Sequence, residues 1–144
     1  MLNKQLYLEF VNHRGNYMDT IGNILTSLIN AQKVGKKRIV VPYSKHTESF
    51  ISFLQQKGLV AKVRLKDETK RELLVTLAYE GKAPRIHGVR RLSRPGQRRY
   101  SGKGEIPYSF DGVGMVIIST SKGLLDDKTA RKQGMGGELL CEVW

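Results

Sequence analysis

The spacing of apolar residues changes along this chain, and that change constrains the fold more than any other feature of the sequence. Near the N-terminus, apolar residues recur at the i, i+3, i+4, i+7 and i+8 positions that lie on one face of a helix. These residues are Ile21, Ile24, Leu25, Leu28 and Ile29. Their spacing predicts a helix over about residues 20–32. Beyond residue 60, apolar residues alternate with polar ones or form continuous runs, which is typical of strands.

Between these two regions the sequence predicts one strand and a second helix. The segment "KKRIVVPYS" has the β-branched residues of a short strand, which Pro42 ends. Ser44 suits the N-cap of a helix, and Gly58 suits the left-handed position just after a helix. The apolar face of this second helix contains Phe50, Ile51 and Leu54.

A hairpin is predicted after the second helix. Its first strand alternates apolar and basic residues, and residues 73–79 alternate again after the polar turn "KDETKR", so each strand has one face toward a core. Gly81 and Pro84 in "YEGKAP" then mark a domain boundary. We therefore expect residues 18–82 to form an N-terminal α/β domain with two helices and a three-stranded sheet. The apolar positions of the first hairpin strand are Ala61, Val63 and Leu65.

Residues 83–144 predict a β-rich domain with one short helix. The segments "RIHGVRRLS" and "QRRYS" have the pattern of strands on either side of the turn Arg94-Pro95-Gly96, and the apolar run "GVGMVIIS" predicts a strand covered on both faces. Asp126 and Asp127 favour the N-terminal end of a short helix that ends at Gly134. "ELLCEVW" forms the last strand. The predicted fold class is therefore α/β (α+β) with two small domains.

The charge of the chain indicates the class of its partner. Lys and Arg number 25 against 13 Asp and Glu, which gives a net charge of +12, and such a surface attracts polyanions. Residues 85–103 contain Lys103, Tyr100 and six arginines but no acid. Arginine pairs with phosphates and stacks on bases, so we favour a nucleic-acid face over a merely solvated run of charge, and nucleic acid over a membrane as the partner. No apolar run approaches the roughly 20 residues that span a bilayer.

The cysteine and the histidines indicate no disulfide and no metal site. Cys141 is the single cysteine, so it cannot form an internal disulfide, and its apolar neighbours predict a buried thiol. His13, His46 and His87 are scattered, without the spacing of metal ligands. We expect no cofactor.

The apolar run ends in "STSKG", residues 119–123, for which we weigh three interpretations. Ser119 and Lys122 match the S-x-x-K motif of serine hydrolases, which needs the lysine one helical turn after the serine and partner motifs that this chain lacks. A nucleotide-phosphate loop needs a different order of residues. A hydroxyl-rich loop with a lysine at a strand end can instead contact phosphate, ribose or base edges of RNA.

A second glycine-rich segment follows the short helix. Gly134, Gly136 and Gly137 lie within four residues, beside Glu138. These glycines can form a tight turn from helix to strand, or they can let the backbone approach a ligand closely. From the residues alone, three functions stay open: a specific RNA-binding protein, a serine hydrolase, and a basic protein that binds nucleic acid or a membrane surface without specificity.

Three segments of the chain resemble one known family. "STSKGLLDDKTARKQGMGGELLCEVW" is similar to the C-terminal signature of the ribosomal protein S eight family, the universal small-subunit protein of that number. "RLSRPGQRRY" resembles the family's Ser-Arg-Pro-Gly loop and the tyrosine after it, and "DTIGNILTSLINAQ" resembles its first helix. The resemblance runs from about Asp19 to Trp144 and is closest to the bacterial and organellar members.

The resemblance implies a non-enzymatic component of the small ribosomal subunit. Family members bind a central-domain helix of small-subunit rRNA whose core has unpaired bases, support subunit assembly beside neighbouring ribosomal proteins, and in some bacteria repress their own operon mRNA. The implied location is the bacterial cytoplasmic ribosome, or alternatively a mitochondrial or plastid ribosome. With the arginine-rich segment, the resemblance assigns RNA contacts to the loop Ser119, Thr120, Ser121, Lys122 and Gly123, to Gly136, Gly137, Glu138, Tyr100, Arg94, Pro95, Gly96, Arg98 and Arg99, and to the N-terminal residues Ser44, Lys45 and Asn30.

The chain departs from the family's pattern at two places. The family's first helix often has arginines before the asparagine that matches Asn30, whereas Ser27 and Ile29 stand there in this chain. Residues 1–17 form an N-terminal extension that has no counterpart in the family. One hypothesis for this extension is that Met18 is the true start of the protein.

Overall fold

The computed structural model describes residues 20–67, 69, 71–109 and 112–144. The chain divides into two compact units between Ile86 and His87. The extension over residues 1–17 and the proposed start at Met18 lie outside the described residues. The elements are α1 (Thr20–Lys33), β1 (Arg38–Pro42), α2 (Lys45–Gln56), β2 (Val60–Asp67), β3 (Glu72–Leu77), β4 (Tyr79–Glu80), β5 (Ala83–Pro84), β6 (Val89–Arg91), β7 (Tyr100–Ser101), β8 (Met115–Thr120), β9 (Gly123–Asp126), α3 (Asp127–Gln133) and β10 (Gly137–Val143).

Both predicted helices of the N-terminal unit are confirmed. The apolar face of α1 is buried, with Leu25 and Leu28 fully enclosed. Ser44 is the N-cap of α2, and its hydroxyl accepts a hydrogen bond from the Thr47 N–H at 3.0 Å. Gly58 follows α2 with a φ of +78°, the left-handed region in which glycine has no Cβ clash.

The N-terminal sheet has the order β1-β3-β2, and all its pairings are antiparallel. The central strand β3 buries one face, as the alternation predicts, through Leu73, Val75 and Leu77. The prediction for β2 is wrong in part, because Ala61 is exposed and Leu65 is 43% exposed. β2 lies at the sheet edge and its register shifts between Val60 and Lys62 and again near its end, so its apolar residues do not all point to the core.

Residues just after the predicted domain boundary pack with the N-terminal unit. The prediction places the boundary between residues 82 and 83, whereas the two units divide after Ile86. The reason is local pairing: β4 pairs with β5, and the Arg85 N–H donates to the Ala78 carbonyl at 3.2 Å.

The C-terminal unit is a five-stranded antiparallel sheet with one helix. β10 lies between β8 on one side and β6 and β7 on the other, and β9 extends the sheet beyond β8. The predicted apolar run forms β8, in which Val116, Ile117 and Ile118 are at most 1% exposed. The core on one face of the sheet consists of Leu92, Ile106, Val116, Ile118, Ala130 and Leu139.

The structure changes two predictions for this unit and confirms a third. The sequence assigns no element between "STSKG" and the helix that begins near Asp126, whereas the structure has the strand β9 there, paired with β8 in a hairpin. The strands expected from "RIHGVRRLS" and "QRRYS" shrink to β6 and β7 because the chain between them closes into a turn, in which Arg94 and Gln97 exchange two backbone hydrogen bonds. The short helix is confirmed as α3, ended by Gly134 at a φ of +66°.

Cys141 is fully buried in β10, as predicted. None of the helices in the described ranges has the length and apolarity to cross a membrane.

The glycines at the start of β10 yield a stability prediction. A Cβ on Gly137 would lie 2.2 Å from the Ser119 carbonyl oxygen, so we expect Gly137→Ala to lower the free energy of unfolding of the C-terminal unit by about 1–3 kcal/mol through overpacking. Denaturant unfolding followed by fluorescence reports on this unit, because the single tryptophan, Trp144, packs on Gly88.

The matched control is Gly96→Ala, whose Cβ would meet no atom within 4 Å. This variant should unfold at the same denaturant concentration as the parent chain. Equal stability of both variants would contradict the close approach at Gly137.

Candidate functional site

The segment "STSKG" forms the end of a hairpin and not an open loop. Ser119 and Thr120 are the last residues of β8, Gly123 begins β9, and the exposed Ser121 and Lys122 form the turn. The Thr120 hydroxyl donates to the Gly123 carbonyl at 2.8 Å and accepts from the Lys122 N–H at 3.1 Å. Thr120 therefore stabilises the turn, which presents the hydroxyl of Ser121 and the ammonium of Lys122 to solvent.

This hairpin geometry argues against the serine-hydrolase interpretation. That chemistry needs Ser119 and Lys122 one helical turn apart. Here the serine belongs to a strand and the lysine to the turn after it, so the backbone on which the S-x-x-K motif depends is absent from this segment.

Gly136 and Gly137 allow two backbones to approach the start of β10. A Cβ on Gly136 would lie 2.3 Å from the Ser101 carbonyl oxygen, and one on Gly137 would lie 2.2 Å from that of Ser119. A real Cβ does not approach another atom this closely, so only glycine fits at positions 136 and 137, between β7 and β8. The structure adds a role that the sequence did not indicate: Gly136 and Gly137 let the backbones of neighbouring strands pack closely.

The close packing aligns three predicted site residues across the sheet. Glu138 on β10 lies directly opposite Tyr100 on β7 and directly opposite Ser119 on β8. Residues directly opposite each other in antiparallel strands have their side chains on the same face. Tyr100 is 71% exposed at one end of this row, and the Ser121-Lys122 turn follows Ser119 at the other end.

The Glu138 carboxylate connects β10 to the arginine-containing turn, which consists of residues 94–97. Its Oε2 accepts hydrogen bonds from the Ser93 hydroxyl at 2.8 Å and from Arg98 Nη1 at 3.2 Å. The Ser93 oxygen also accepts the Arg99 N–H at 3.0 Å, and the Leu139 N–H donates to the Arg99 carbonyl at 2.9 Å. The segment on both sides of the turn is thus fixed beside the hairpin.

The arginine-rich segment 85–103 only partly forms a surface. Arg91 is 5% exposed, and its guanidinium donates to the Leu140 carbonyl inside the unit. Arg85 belongs to the N-terminal unit, where it pairs with Glu80. The prediction of a nucleic-acid face over this segment is therefore wrong for Arg91, whereas Arg85 is exposed on the N-terminal unit. The exposed site residues near the turn are Gly96, Arg98, Arg99 and Tyr100, while Arg94 and Pro95 are half-buried.

The three remaining predicted contacts lie in the N-terminal unit. Asn30 is exposed on α1 and Lys45 is exposed at the start of α2. The Ser44 hydroxyl caps α2 and donates to the Thr47 hydroxyl at 2.8 Å. Ser44 therefore has a structural role that explains its position without a ligand.

A cleft of about 600 Å³ is also present in the N-terminal unit, lined by residues that include Tyr43, Glu48, Arg64 and Arg71. A hydrogen bond to Glu48 and the negative charge of that residue raise the pKa of Tyr43. In the part of the chain that the structure describes, no three His, Cys, Asp or Glu side chains gather as metal ligands would.

Sequence reasoning missed Ser93 and the pair Tyr108 and Arg131. Ser93 is fully buried and bonds both Glu138 and the backbone of Arg99. The position of Ser93 two residues before Pro95 could have indicated this role, because serine side chains often form hydrogen bonds with backbone groups near turns. Tyr108 lies under the Arg131 guanidinium, and no spacing in the sequence indicates that contact.

Comparison with known proteins identifies the family. A family model described as ribosomal protein S8 matches residues 19–144. The small ribosomal subunit protein uS8 of Trichormus variabilis is 43% identical over 129 residues, which cover 88% of this chain and 97% of that protein. The proteins of the same name from Saccharophagus degradans and Dictyoglomus turgidum are 46% and 43% identical over 127 residues, with the same coverage. The chain therefore belongs to the ribosomal protein S8 family.

Proposed function

We propose that this protein is a structural component of the small ribosomal subunit that binds small-subunit rRNA directly through its C-terminal unit. The observation on which the proposal depends is the row Tyr100, Glu138 and Ser119, which brings an exposed aromatic ring, the arginine-containing turn and the Ser121-Lys122 turn to one end of β10. Membership of the family and the net charge of +12 support the same conclusion.

The mechanism follows from what each group can contact. Lys122 and Arg99 are exposed cations that hold phosphates. The Ser121 hydroxyl can both donate to and accept from a base edge or a 2′-hydroxyl. Tyr100 exposes a ring on which an unpaired base can stack. Because these groups are fixed on a sheet, they recognise the shape of an irregular RNA helix and not the sequence of a regular one.

Family membership also supports a location and a set of partners. The three relatives are bacterial proteins, so we place the protein in a bacterial cytoplasmic ribosome, in contact with neighbouring small-subunit proteins and without catalytic activity. Repression of its own operon mRNA is a further proposal. An mRNA segment that folds like the rRNA site would compete for the same residues.

Selectivity between RNAs tests the proposed function. The protein should bind a central-domain fragment of small-subunit rRNA saturably, and should bind a plain RNA duplex of equal length more weakly by on the order of a hundredfold or more at physiological salt. Filter binding or fluorescence anisotropy measures both affinities under the same conditions. Equal affinity for the two RNAs would support a non-specific basic binder instead.

Two substitutions in the hairpin turn separate base contacts from phosphate contacts. Ser121→Ala should weaken rRNA binding by about 1–2 kcal/mol at every salt concentration, because an RNA polar group loses its partner. Lys122→Ala should instead reduce the slope of log affinity against log salt by roughly one unit, because one phosphate contact is lost.

The matched control is Lys66→Ala, since Lys66 already lies 3.9 Å from Glu72 in the N-terminal unit. We expect this variant to keep both the affinity and the salt dependence of the parent chain. If Ser121→Ala and Lys122→Ala also leave both quantities unchanged, the hairpin turn is not an RNA contact.

A further inference from the structure

An exposed tyrosine with a fixed orientation lies elsewhere on the C-terminal unit. The ring of Tyr108 is stacked on a guanidinium, with Arg131 Cζ 3.6 Å from the ring centroid. Tyr108 is nonetheless 74% exposed. One face of the ring is thus covered by the arginine while the rest remains open to solvent.

The arginine beneath the ring is itself held in place. Arg131 Nη2 lies 2.9 Å from Asp127 Oδ2 and donates to the Pro107 carbonyl at 2.8 Å. Asp127 is 2% exposed, and its Oδ1 accepts the Val116 N–H at 3.1 Å. The stack is therefore anchored to a buried carboxylate and to β8, so little side-chain freedom remains to be lost when a ligand binds.

The charges around the stack favour an anionic ligand with a planar group. Asp127 neutralises Arg131, so the stack itself offers a flat surface more than a net charge. Lys128 is exposed three residues before Arg131 and shares its side of α3. Lys132, four residues after Lys128 on the same helix, is also exposed. The ammonium groups of Lys128 and Lys132 would bind phosphates next to a base that stacks on the ring.

We propose that Tyr108 and Arg131 form a stacking platform for an unpaired base of the bound rRNA. The inference rests on the proposed function, and it adds a contact apart from the hairpin turn. Val116, which anchors the stack through Asp127, lies four residues before Thr120 on β8, roughly 13 Å along the strand. The C-terminal unit would therefore hold the RNA at two separated points.

A protein partner is the other class of ligand for an exposed aromatic ring, and the flanking residues favour RNA over it. Lysine is depleted in protein–protein interfaces, whereas single-strand RNA sites combine aromatic rings with basic side chains. Two exposed lysines on α3 fit the second case.

Two substitutions of the ring test the platform with the central-domain rRNA fragment and the full chain. Tyr108→Leu removes the aromatic face and should weaken binding by roughly 5- to 100-fold, as expected for the loss of one stacked base. Tyr108→Phe keeps the ring and should bind within about twofold of the parent chain. The salt dependence should be the same for both variants, because no phosphate contact is lost. Trp144 fluorescence should show that both variants fold.

The outcomes separate this inference from the proposed function. If the parent chain binds the rRNA fragment selectively and Tyr108→Leu binds it equally well, the platform is overturned while the proposed function stands. If the parent chain binds the fragment and a plain duplex equally, both are overturned. A photo-crosslinker at position 108 that reacts with another protein and not with rRNA in the assembled subunit would also overturn the platform.

Discussion

The close approach of three strands at Gly136 and Gly137 is the constraint on which the candidate site depends. The start of β10 lies against the backbone of Ser101 on one side and of Ser119 on the other, at distances that leave no room for a Cβ. Because these contacts fix the register, Glu138 lies between Tyr100 and Ser119. A side chain at either glycine would separate the strands and, with them, the aromatic ring and the hairpin turn that we propose to contact RNA.

The acid in the centre of this surface has a structural explanation. A carboxylate repels phosphates, yet Glu138 lies among basic residues in the centre of the site. Its oxygen accepts hydrogen bonds from Ser93 and Arg98, and through Ser93 it also fixes the Arg99 backbone. Glu138 therefore organises cations instead of opposing the polyanion. Arg99 and Lys122 remain exposed and carry positive charge at the outer surface.

Local patterns in the sequence predicted most of the fold, because local interactions determine helix faces and helix ends. Such rules predicted the Ser44 cap and the glycines that follow α2 and α3. β9 was missed because its four residues are too short to show a period. The burial of Arg91 could not be predicted either, since its partner is the Leu140 carbonyl 49 residues later. The glycine contacts depend in the same way on strands that meet only in the folded chain, and the RNA contacts themselves remain proposals.

Directed hydroxyl-radical cleavage tests the central claim that the hairpin turn and the arginine-containing turn form one RNA-binding surface. Iron chelates would be tethered at Ser121→Cys and, separately, at Gly96→Cys, and each protein assembled into the small subunit. Cys141 is fully buried, so the parent chain supplies the background. We predict overlapping cleavage in one segment of small-subunit rRNA from both positions. Cleavage in unrelated segments, or none above background from position 121, would contradict the account.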